Sequence, residues 1–125
     1  MPTIPNILFD STTQGLAQAL TLRQKRHEVI ASNLANVETP GYRAKELDFG
    51  TALKEAFEVP DGPEPRLPEA QVVEDREAPG RADGNTVDVD MQMAKLSANG
   101  GDYVALSRIL AHRLALLRQA IGGTP

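Results

Sequence analysis

The amino-acid sequence predicts a mainly α-helical protein. N- and C-terminal helices are expected to form a coiled-coil-like antiparallel pair, with an extended, Pro-rich central segment that has room for a short strand or hairpin. Two observations predict this fold. Apolar residues recur at three- and four-residue spacing near both ends of the 125-residue chain, as in helices with one buried face. Residues 44–85 contain five prolines and eleven acidic but only five basic side chains, which disfavours a separate packed core.

The first predicted helix spans residues 13–36. Ser11, Thr12 and Thr13 are all suitable N-caps. Thr39-Pro40-Gly41 predicts the helix end, because Pro disfavours a helical residue before it and Gly permits a positive φ. The predicted stripe of this helix is interrupted by charge and consists of Leu16, Leu20, Arg23, His27, Ile30, Leu34 and Val37.

The second predicted helix follows the turn-forming segment Asp83-Gly84-Asn85-Thr86 and ends at Gly122-Gly123. Asp88 and Asp90 are expected in its first turn, where they complement the helix dipole. Gly100-Gly101 interrupts the pattern at a cost of ~2 kcal/mol relative to two alanines and predicts a bend or hinge. The apolar stripe contains Val89, Met93, Leu96, Tyr103, Leu110, Leu114, Leu117 and Ile121, widened by Leu106, Ile109 and Leu116. This arc is wider than one partner helix can cover, so further subunits are expected on it.

The chain is expected to form one structural domain in three parts: residues 1–43 with the first helix, the acidic central segment 44–85, and residues 86–125 with the second helix. Two short elements are predicted in the central part. One is a brief helix over residues 49–59. The other is a strand over residues 70–73, which requires another segment to offer it an edge.

The sequence lacks the residue patterns of an enzyme or a metal site. It has no Cys, and its two histidines, His27 and His112, lie in no metal-ligand spacing. No phosphate-cradling glycine pattern or nucleophile motif is present. We therefore expect no enzymatic activity, no cofactor and no small-molecule substrate. Nucleic-acid binding is not expected either, because neither end carries a dense run of Lys or Arg.

The end of the first helix is more specific than an amphipathic helix requires. Asn33 and Asn36 are mediocre helix formers whose side chains bond backbone groups, and they predict a specified helix exit. The residues alone do not say why both positions are Asn. The segment resembles the signature of flagellar basal-body rod and hook axial proteins, and the matching residues are Ser32, Asn33, Leu34, Ala35, Asn36, Thr39, Pro40, Gly41 and Tyr42.

A second segment follows the order of residues in the same family. It begins at Gly84-Asn85-Thr86-Val87-Asp88 and continues through Met91, Met93, Ala94, Leu96, Asn99 and Tyr103. Within the family the chain resembles most the short proximal rod proteins, by its length and by the residues 43–49 that follow Tyr42. The two resemblances cover both helical ends of the chain.

The resemblance implies a subunit of the proximal rod, whose terminal helices interlock with those of its neighbours to build a tubular drive shaft. The implied assembly face is formed by Leu96, Tyr103, Leu106, Leu110, Leu114, Leu117 and Ile121. The implied partners are copies of the chain itself, other proximal rod proteins, the basal-body adaptor protein, the MS ring and the flagellar type III export gate. This export route agrees with an N-terminal segment that lacks the pattern of a cleaved signal peptide, and it implies a location in the periplasmic rod of the basal body.

Phe49 and Leu53 are large apolar residues four positions apart in an acidic stretch, and they share one face if the segment is helical. They are similar to the Phe-x-x-x-hydrophobic element with which early flagellar export substrates dock at the export gate. Packing of both side chains on the terminal helices is an equally open alternative.

Two other functions remain open at this point. The chain is also compatible with another short rod protein of the same family. A function of a different class is a cytoplasmic helical adaptor that binds one partner helix through residues 106–121 without polymerising. Concentration-dependent assembly of the purified protein distinguishes polymerisation from the adaptor function.

Overall fold

The computed structural model describes residues 10–57 and 70–122, and it confirms the predicted fold class. In chain order the elements are helix α1 (Ser11–Ala35), strand β1 (Lys45–Leu47), helix α2 (Phe49–Phe57), strand β2 (Val72–Glu74) and helix α3 (Val89–Gly122). The helices α1 and α3 form the antiparallel pair, with α2 and the two-stranded sheet packed beside them. No helix in the described part of the chain is long and apolar enough to cross a membrane.

The pairing of α1 and α3 is defined by polar contacts along their length. The start of α1 meets the C-terminal part of α3 through Asp10 and Arg113. Near the middle, the Asn99 side chain donates a 2.8 Å hydrogen bond to the carbonyl oxygen of Arg23. The order of these contacts makes the two helices antiparallel.

Helix α1 begins earlier than the sequence predicted. Its N-cap is Asp10, whose Oδ1 accepts a 2.8 Å hydrogen bond from the Thr13 amide, so the prediction of Ser11, Thr12 or Thr13 as the cap was wrong. A carboxylate at this position also complements the positive end of the helix dipole, which a hydroxyl cannot do. At the other end the helix stops at Ala35, one residue before the predicted end, with Asn36 as its C-cap.

The buried face of α1 is wider than the predicted stripe, because α1 packs against both α2 and α3. Leu16 and Ile30 are buried as expected, but Ala19 and Leu22 are also part of the core. His27, which lies on the predicted stripe, is exposed.

Helix α2 lies on α1 through small residues. Ala52 and Ala56 are buried against Leu22, and Phe49, Leu53 and Ala70 pack partly against the same cluster. Gly15 of α1 permits a close approach, since a Cβ atom there would lie 2.4 Å from Cδ1 of Phe57. The predicted brief helix is therefore present up to Phe57, and residues 58 and 59 lie outside the described part.

The predicted strand near residue 70 is present as β2, shifted to Val72–Glu74. It pairs antiparallel with β1, with Lys45 opposite Glu74, Glu46 opposite Val73 and Leu47 opposite Val72. Strand β1 was not predicted. It supplies the edge that β2 requires, and Leu47 is buried under the sheet.

Helix α3 is capped by Asp88, whose Oδ1 accepts a 3.1 Å hydrogen bond from the Met91 amide. It runs without interruption through Gly100 and Gly101, so these residues do not break the helix. A Cβ atom at either glycine would meet no atom of the described residues within 4 Å. Close packing against this part of the chain therefore does not explain the two glycines.

Candidate functional site

The exit from α1 is organised by the fully buried side chain of Asn33. Its Nδ2 group donates to the Lys45 carbonyl at 2.8 Å and to Oε1 of Gln92 at 3.1 Å. Its Oδ1 atom accepts from the Lys45 amide at 2.9 Å and from the Tyr42 hydroxyl at 3.2 Å. An Asn side chain has two donor hydrogens and two acceptor lone pairs, so the full capacity of this amide is used. Asn33 thereby joins α1 to β1 and α3.

Asn36 has a different, local function at the end of the same helix. Its Nδ2 donates to the Ser32 carbonyl at 2.8 Å, and its Oδ1 accepts from the Thr39 hydroxyl at 3.1 Å. Its backbone N–H bonds to the Asn33 carbonyl at 3.1 Å. The side chain therefore satisfies one of the last carbonyls of the helix and fixes the turn that follows.

A second buried amide, Asn85, closes the helix exit from the other segment. Its Nδ2 lies 2.9 Å from the Asn36 carbonyl oxygen, 3.1 Å from that of Val37 and 2.8 Å from that of Thr39. Its Oδ1 accepts from the Val87 amide at 2.7 Å. One side chain thus serves the carbonyls that the end of α1 leaves without helical partners.

Two glycines with positive φ bring these segments together. Gly41 has φ 73° and Gly84 has φ 81°. A Cβ atom on Gly84 would lie 3.4 Å from Cα of Gly41, and the Gly41 amide donates to the Asp83 carbonyl at 2.9 Å. Both positions therefore favour glycine for their backbone conformation.

Backbone pairing continues on the C-terminal side of the glycines. The Thr86 amide donates to the Tyr42 carbonyl at 3.0 Å, and the Thr86 hydroxyl accepts from the Ala44 amide at 2.6 Å. The two segments that the sequence singled out, around residues 32–42 and 84–88, are thus one hydrogen-bonded unit, which we call the exit clamp. The clamp explains why positions 33 and 36 are both Asn.

The acidic central segment is held to the helices by ion pairs. Glu46 of β1 lies 3.3 Å from Arg26 of α1 and 2.7 Å from Lys95 of α3. Lys95 also lies 3.4 Å from Asp75, after β2. Burial alone would lower the pKa of Lys95, but its hydrogen bonds and charge interactions with Glu46 and Asp75 outweigh this and raise that pKa. These ion pairs attach the sheet to both α1 and α3.

Arg23 connects α1, α2 and α3 at the point where the three helices meet. Its side chain is only 14% exposed and pairs with Asp102 at 3.2 Å. Its guanidinium carbon lies 4.1 Å from the centre of the Phe49 ring, within the range of a cation–π contact. Burial lowers the pKa of Arg23, and the charge of Asp102 opposes this shift. Leu53 packs on the core cluster beside Phe49, so both residues of the predicted export element contact α1 and its neighbours.

In the structure, the residues of the predicted assembly face differ in their exposure to solvent. Tyr103, Leu114 and Ile121 are exposed, whereas the remaining members are half-buried: Leu96, Leu106, Leu110 and Leu117. Two series with seven-residue spacing run along the same side of α3. One contains Leu96, Tyr103, Leu110 and Leu117, and the other Gln92, Asn99, Leu106 and Arg113. Because Gln92, Asn99 and Arg113 contact α1, this side of α3 is the seam of the intramolecular helix pair.

These clusters connect the helices to the sheet and to the segment before α3. The described residues contain no group of three or more His, Cys, Asp or Glu side chains that could hold a metal ion. Sequence reasoning missed Gln92 and did not link Asn85 or Lys45 to the exit from α1. Asn85 was singled out only as part of a turn and of the second family-like segment.

Comparison with known proteins gives a consistent result. The sequence profile of a family described as "Flagella basal body rod protein" matches residues 16–43, which cover most of α1 and its exit. The chain is 35% identical to the flagellar basal body rod protein FlgB of Proteus mirabilis (strain HI4320), over 78% of this chain and 83% of the relative. It is 30% identical to FlgB of Aeromonas hydrophila, over 94% of this chain and 97% of the relative. With FlgB of Bacillus subtilis (strain 168) it shares 29% identity over 93% of this chain and 97% of the relative.

Proposed function

The chain belongs to the FlgB family of flagellar basal body rod proteins, and we propose that it is a subunit that polymerises through its terminal helices into the proximal part of the rod. A structural role in the flagellar rod follows from family membership. The proposed mechanism of assembly rests on the surface of α3, since polymerisation requires apolar area that the folded chain leaves exposed.

The observation that carries this proposal is the apolar surface outside the intramolecular seam of α3. Met91, Ile109 and Leu116 are 54%, 53% and 52% exposed. Met91 and Ile109 are separated by about five helical turns of 3.6 residues, so they lie on the same side of the helix. Leu116 lies seven residues further, close to the same line. These three residues form what we call the first flank.

A second flank contains Met93 and Val104, which are 51% and 46% exposed. They are separated by about three turns and lie nearly opposite the first flank. Tyr103, on the side of the seam that is nearer to the second flank, is 42% exposed. One helix that offers apolar surface on both sides of its intramolecular seam can contact two neighbours, as a subunit in a closed tube must.

The test is to place a charge on one flank. We expect Ile109→Asp together with Leu116→Asp to abolish rod assembly, because each carboxylate would have to be buried without a partner against a neighbour. Helix content by circular dichroism should stay unchanged, since both positions are exposed. Gln119→Asp, also exposed on α3, is the matched control.

Assembly is measured in two ways: the size of the purified protein over a range of concentrations, and electron microscopy of basal bodies from cells that carry only the variant chain. Normal rods in the Ile109/Leu116 variant would contradict the proposal. A wild-type chain that keeps one discrete size at all concentrations, also with its rod partners, would favour the adaptor function.

The finer steps of the proposal follow the family. The chain would leave the cytoplasm through the type III export apparatus and take its place in the periplasmic rod. Its partners would be its own copies, other proximal rod proteins, the basal-body adaptor protein and the MS ring. Phe49 and Leu53 would contact the export gate before folding, and would then pack on α1.

A further inference from the structure

The two glycines in the middle of α3 separate a firmly packed part of the helix from a loosely packed part. The buried residues of α3, Gln92 and Asn99, both precede Gly100. After Gly101 the helix has only half-buried and exposed residues, up to Gly122. We call residues 89–99 the near half and residues 102–122 the far half. Because Gln92 bonds to Asn33, the exit clamp holds the near half in place.

A pair of glycines is a weak point in a helix. Glycine loses more backbone freedom on folding than any other residue, and sharp bends in long helices occur at Gly or Ser pairs. An added Cβ at Gly100 or Gly101 would meet no atom of the described residues within 4 Å, so packing against them does not require glycine here. Backbone freedom is therefore the property that this pair adds to α3.

One side chain of α1 bridges this weak point. Nη1 of Arg23 lies 3.4 Å from Oδ1 of Asn99, just before the glycines, and 3.2 Å from Oδ2 of Asp102, just after them. The Asn99 side chain in turn donates to the Arg23 carbonyl at 2.8 Å. The Arg23 guanidinium is mostly buried and packs on the Phe49 ring, which holds it against α1. Arg23 thus ties both sides of the glycine pair to one point.

The far half is attached to α1 a second time, near the start of α1. Arg113 lies 2.6 Å from Oδ2 of Asp10 and donates a 3.1 Å hydrogen bond to the Thr13 hydroxyl. Asp102 and Arg113 are both partly exposed, and ion pairs at such positions exchange readily for contacts with water. The leucines of the seam in the far half are half-buried. The far half can therefore leave α1 while the buried contacts of the near half stay intact.

We propose that Gly100 and Gly101 form a hinge in α3, and that Arg23 keeps this hinge closed by joining Asn99 to Asp102. When the contacts of the far half with α1 are released, residues 102–122 swing away from α1 as one helical unit. Arg23 is a positioning residue in this proposal, since it sets the direction of the far half. The inference concerns the single chain and does not depend on the proposed polymerisation.

The hinge divides both apolar flanks of α3. In the first flank, Met91 precedes the glycines, whereas Ile109 and Leu116 follow them. In the second flank, Met93 precedes them and Val104 follows. A swing of the far half changes the angle between the two parts of each flank. The same chain can then fit its apolar surface to neighbours that approach at different angles.

Spin labels can test this hinge in the full chain, because it contains no Cys. Ala17→Cys and Arg118→Cys place labels at exposed positions of α1 and the far half, and double electron–electron resonance measures their distance in a sample diluted with unlabelled chain. Asp102→Asn with Arg113→Gln releases the far half without a change in α1 or the near half. Position 118 lies about 26 Å beyond Gly101, so a bend of about 20° moves it by about 9 Å. We expect a second population in this released variant, with a distance longer by up to about 9 Å.

Gly100→Ala with Gly101→Ala should remove the second population from the released variant. A stiff helix that is held by its near half keeps the far half in line, and a merely local effect of the lost ion pairs would not be reversed in this way. Ser97→Ala also adds helix propensity, but before the glycines, and as the matched control it should leave the second population unchanged.

Labels at Glu28→Cys and Ala94→Cys, exposed on α1 and the near half, should give one unchanged distance in every variant. A change in this distance would overturn the proposal, because the motion would not be confined to the far half. An unchanged distance between labels at 17 and 118 in the released variant would also overturn it. A second population that persists in the Gly100→Ala and Gly101→Ala background would do the same, since the far half would then separate by fraying and not at the glycines.

Discussion

At the scale of single residues, the exit clamp depends on Asn33. Its side chain is fully buried and makes four hydrogen bonds to Lys45, Tyr42 and Gln92. Asn33→Ala would leave several buried partners without hydrogen bonds. We expect the free energy of unfolding to fall by about 2–4 kcal/mol, since each unsatisfied buried group costs about 1–3 kcal/mol. Urea unfolding followed by circular dichroism measures this loss.

The exposed Gln24→Ala, also on α1, is the control for the general effect of an alanine, and it should change stability little. Asn33→Asp is the more specific variant. It keeps the acceptor for the Lys45 amide but places a carboxylate against the Lys45 carbonyl and Gln92. Equal stability of Asn33→Asp and the wild-type chain would contradict the assigned hydrogen bonds.

The stability that the N-cap Asp10 adds to the chain depends on pH. The backbone hydrogen bond from Thr13 and the nearby charge of Arg113 hold the pKa of Asp10 below its usual value of 3.8, although burial opposes this shift. A lowered folded-state pKa adds stability that is fully present above 3.8 and is lost as the pH falls through the folded-state value. Asp10→Asn should therefore destabilise the chain at neutral pH, and the difference from wild type should shrink below pH 3.8. A difference that stays constant over this range would exclude the charged cap.

At the scale of elements, the contact between α1 and α2 depends on a glycine. Gly15→Ala favours the helix by ~1 kcal/mol in propensity, but its Cβ would lie 2.4 and 2.5 Å from two atoms of the Phe57 ring. We expect the ring to be displaced and the amides of residues 53–57 to exchange faster with solvent. Gly50→Ala in α2, where an added Cβ meets no atom of the described residues within 4 Å, should not have this effect. Unchanged hydrogen exchange in Gly15→Ala would show that the Phe57 ring does not hold α2 against α1.

The elements differ in how well the sequence predicts them. The two long helices follow from apolar spacing and from the breakers at Thr39-Pro40-Gly41 and Gly122-Gly123, which act locally. The wider core of α1, including Leu22, could not be predicted, because it depends on two partners on different sides of the helix. Strand β1 was also beyond prediction, since three residues carry no alternating pattern.

The candidate site was predictable in part. Asn33 and Asn36 stand out in sequence because Asn is unfavourable inside a helix. Their functions differ, however, and only the folded chain shows it: Asn36 bonds within its own turn, whereas Asn33 bonds to β1 and α3. Asn85 lies in the second family-like segment, but the sequence did not link it to the exit from α1, since its partners are carbonyls far away along the chain.

At the scale of the whole molecule, ion pairs attach the acidic central segment to the two long helices. Glu46 and Asp75 of this segment pair with Arg26 of α1 and Lys95 of α3. The same segment carries Phe49, which lies under Arg23, so the predicted export element is engaged once the chain has folded. Contact of this element with an export gate would therefore have to precede folding.

This order can be tested with a double variant. If Phe49 and Leu53 contact the gate, Phe49→Ala with Leu53→Ala should keep the protein in the cytoplasm of a strain that lacks the next rod component. Cytoplasmic and periplasmic amounts measure this, with the exposed Lys54→Ala of the same helix as the control. Normal export followed by failed assembly would leave packing on α1 as the only function of the two residues.

The hydrogen bonds of Asn33 also occupy polar groups on the outer edge of β1. The Lys45 N–H and C=O point away from β2, and both bond to the Asn33 side chain. They are the groups with which an additional strand would pair, and an open strand edge is a template for aggregation. A single amide therefore blocks the pairing of a further strand at Lys45.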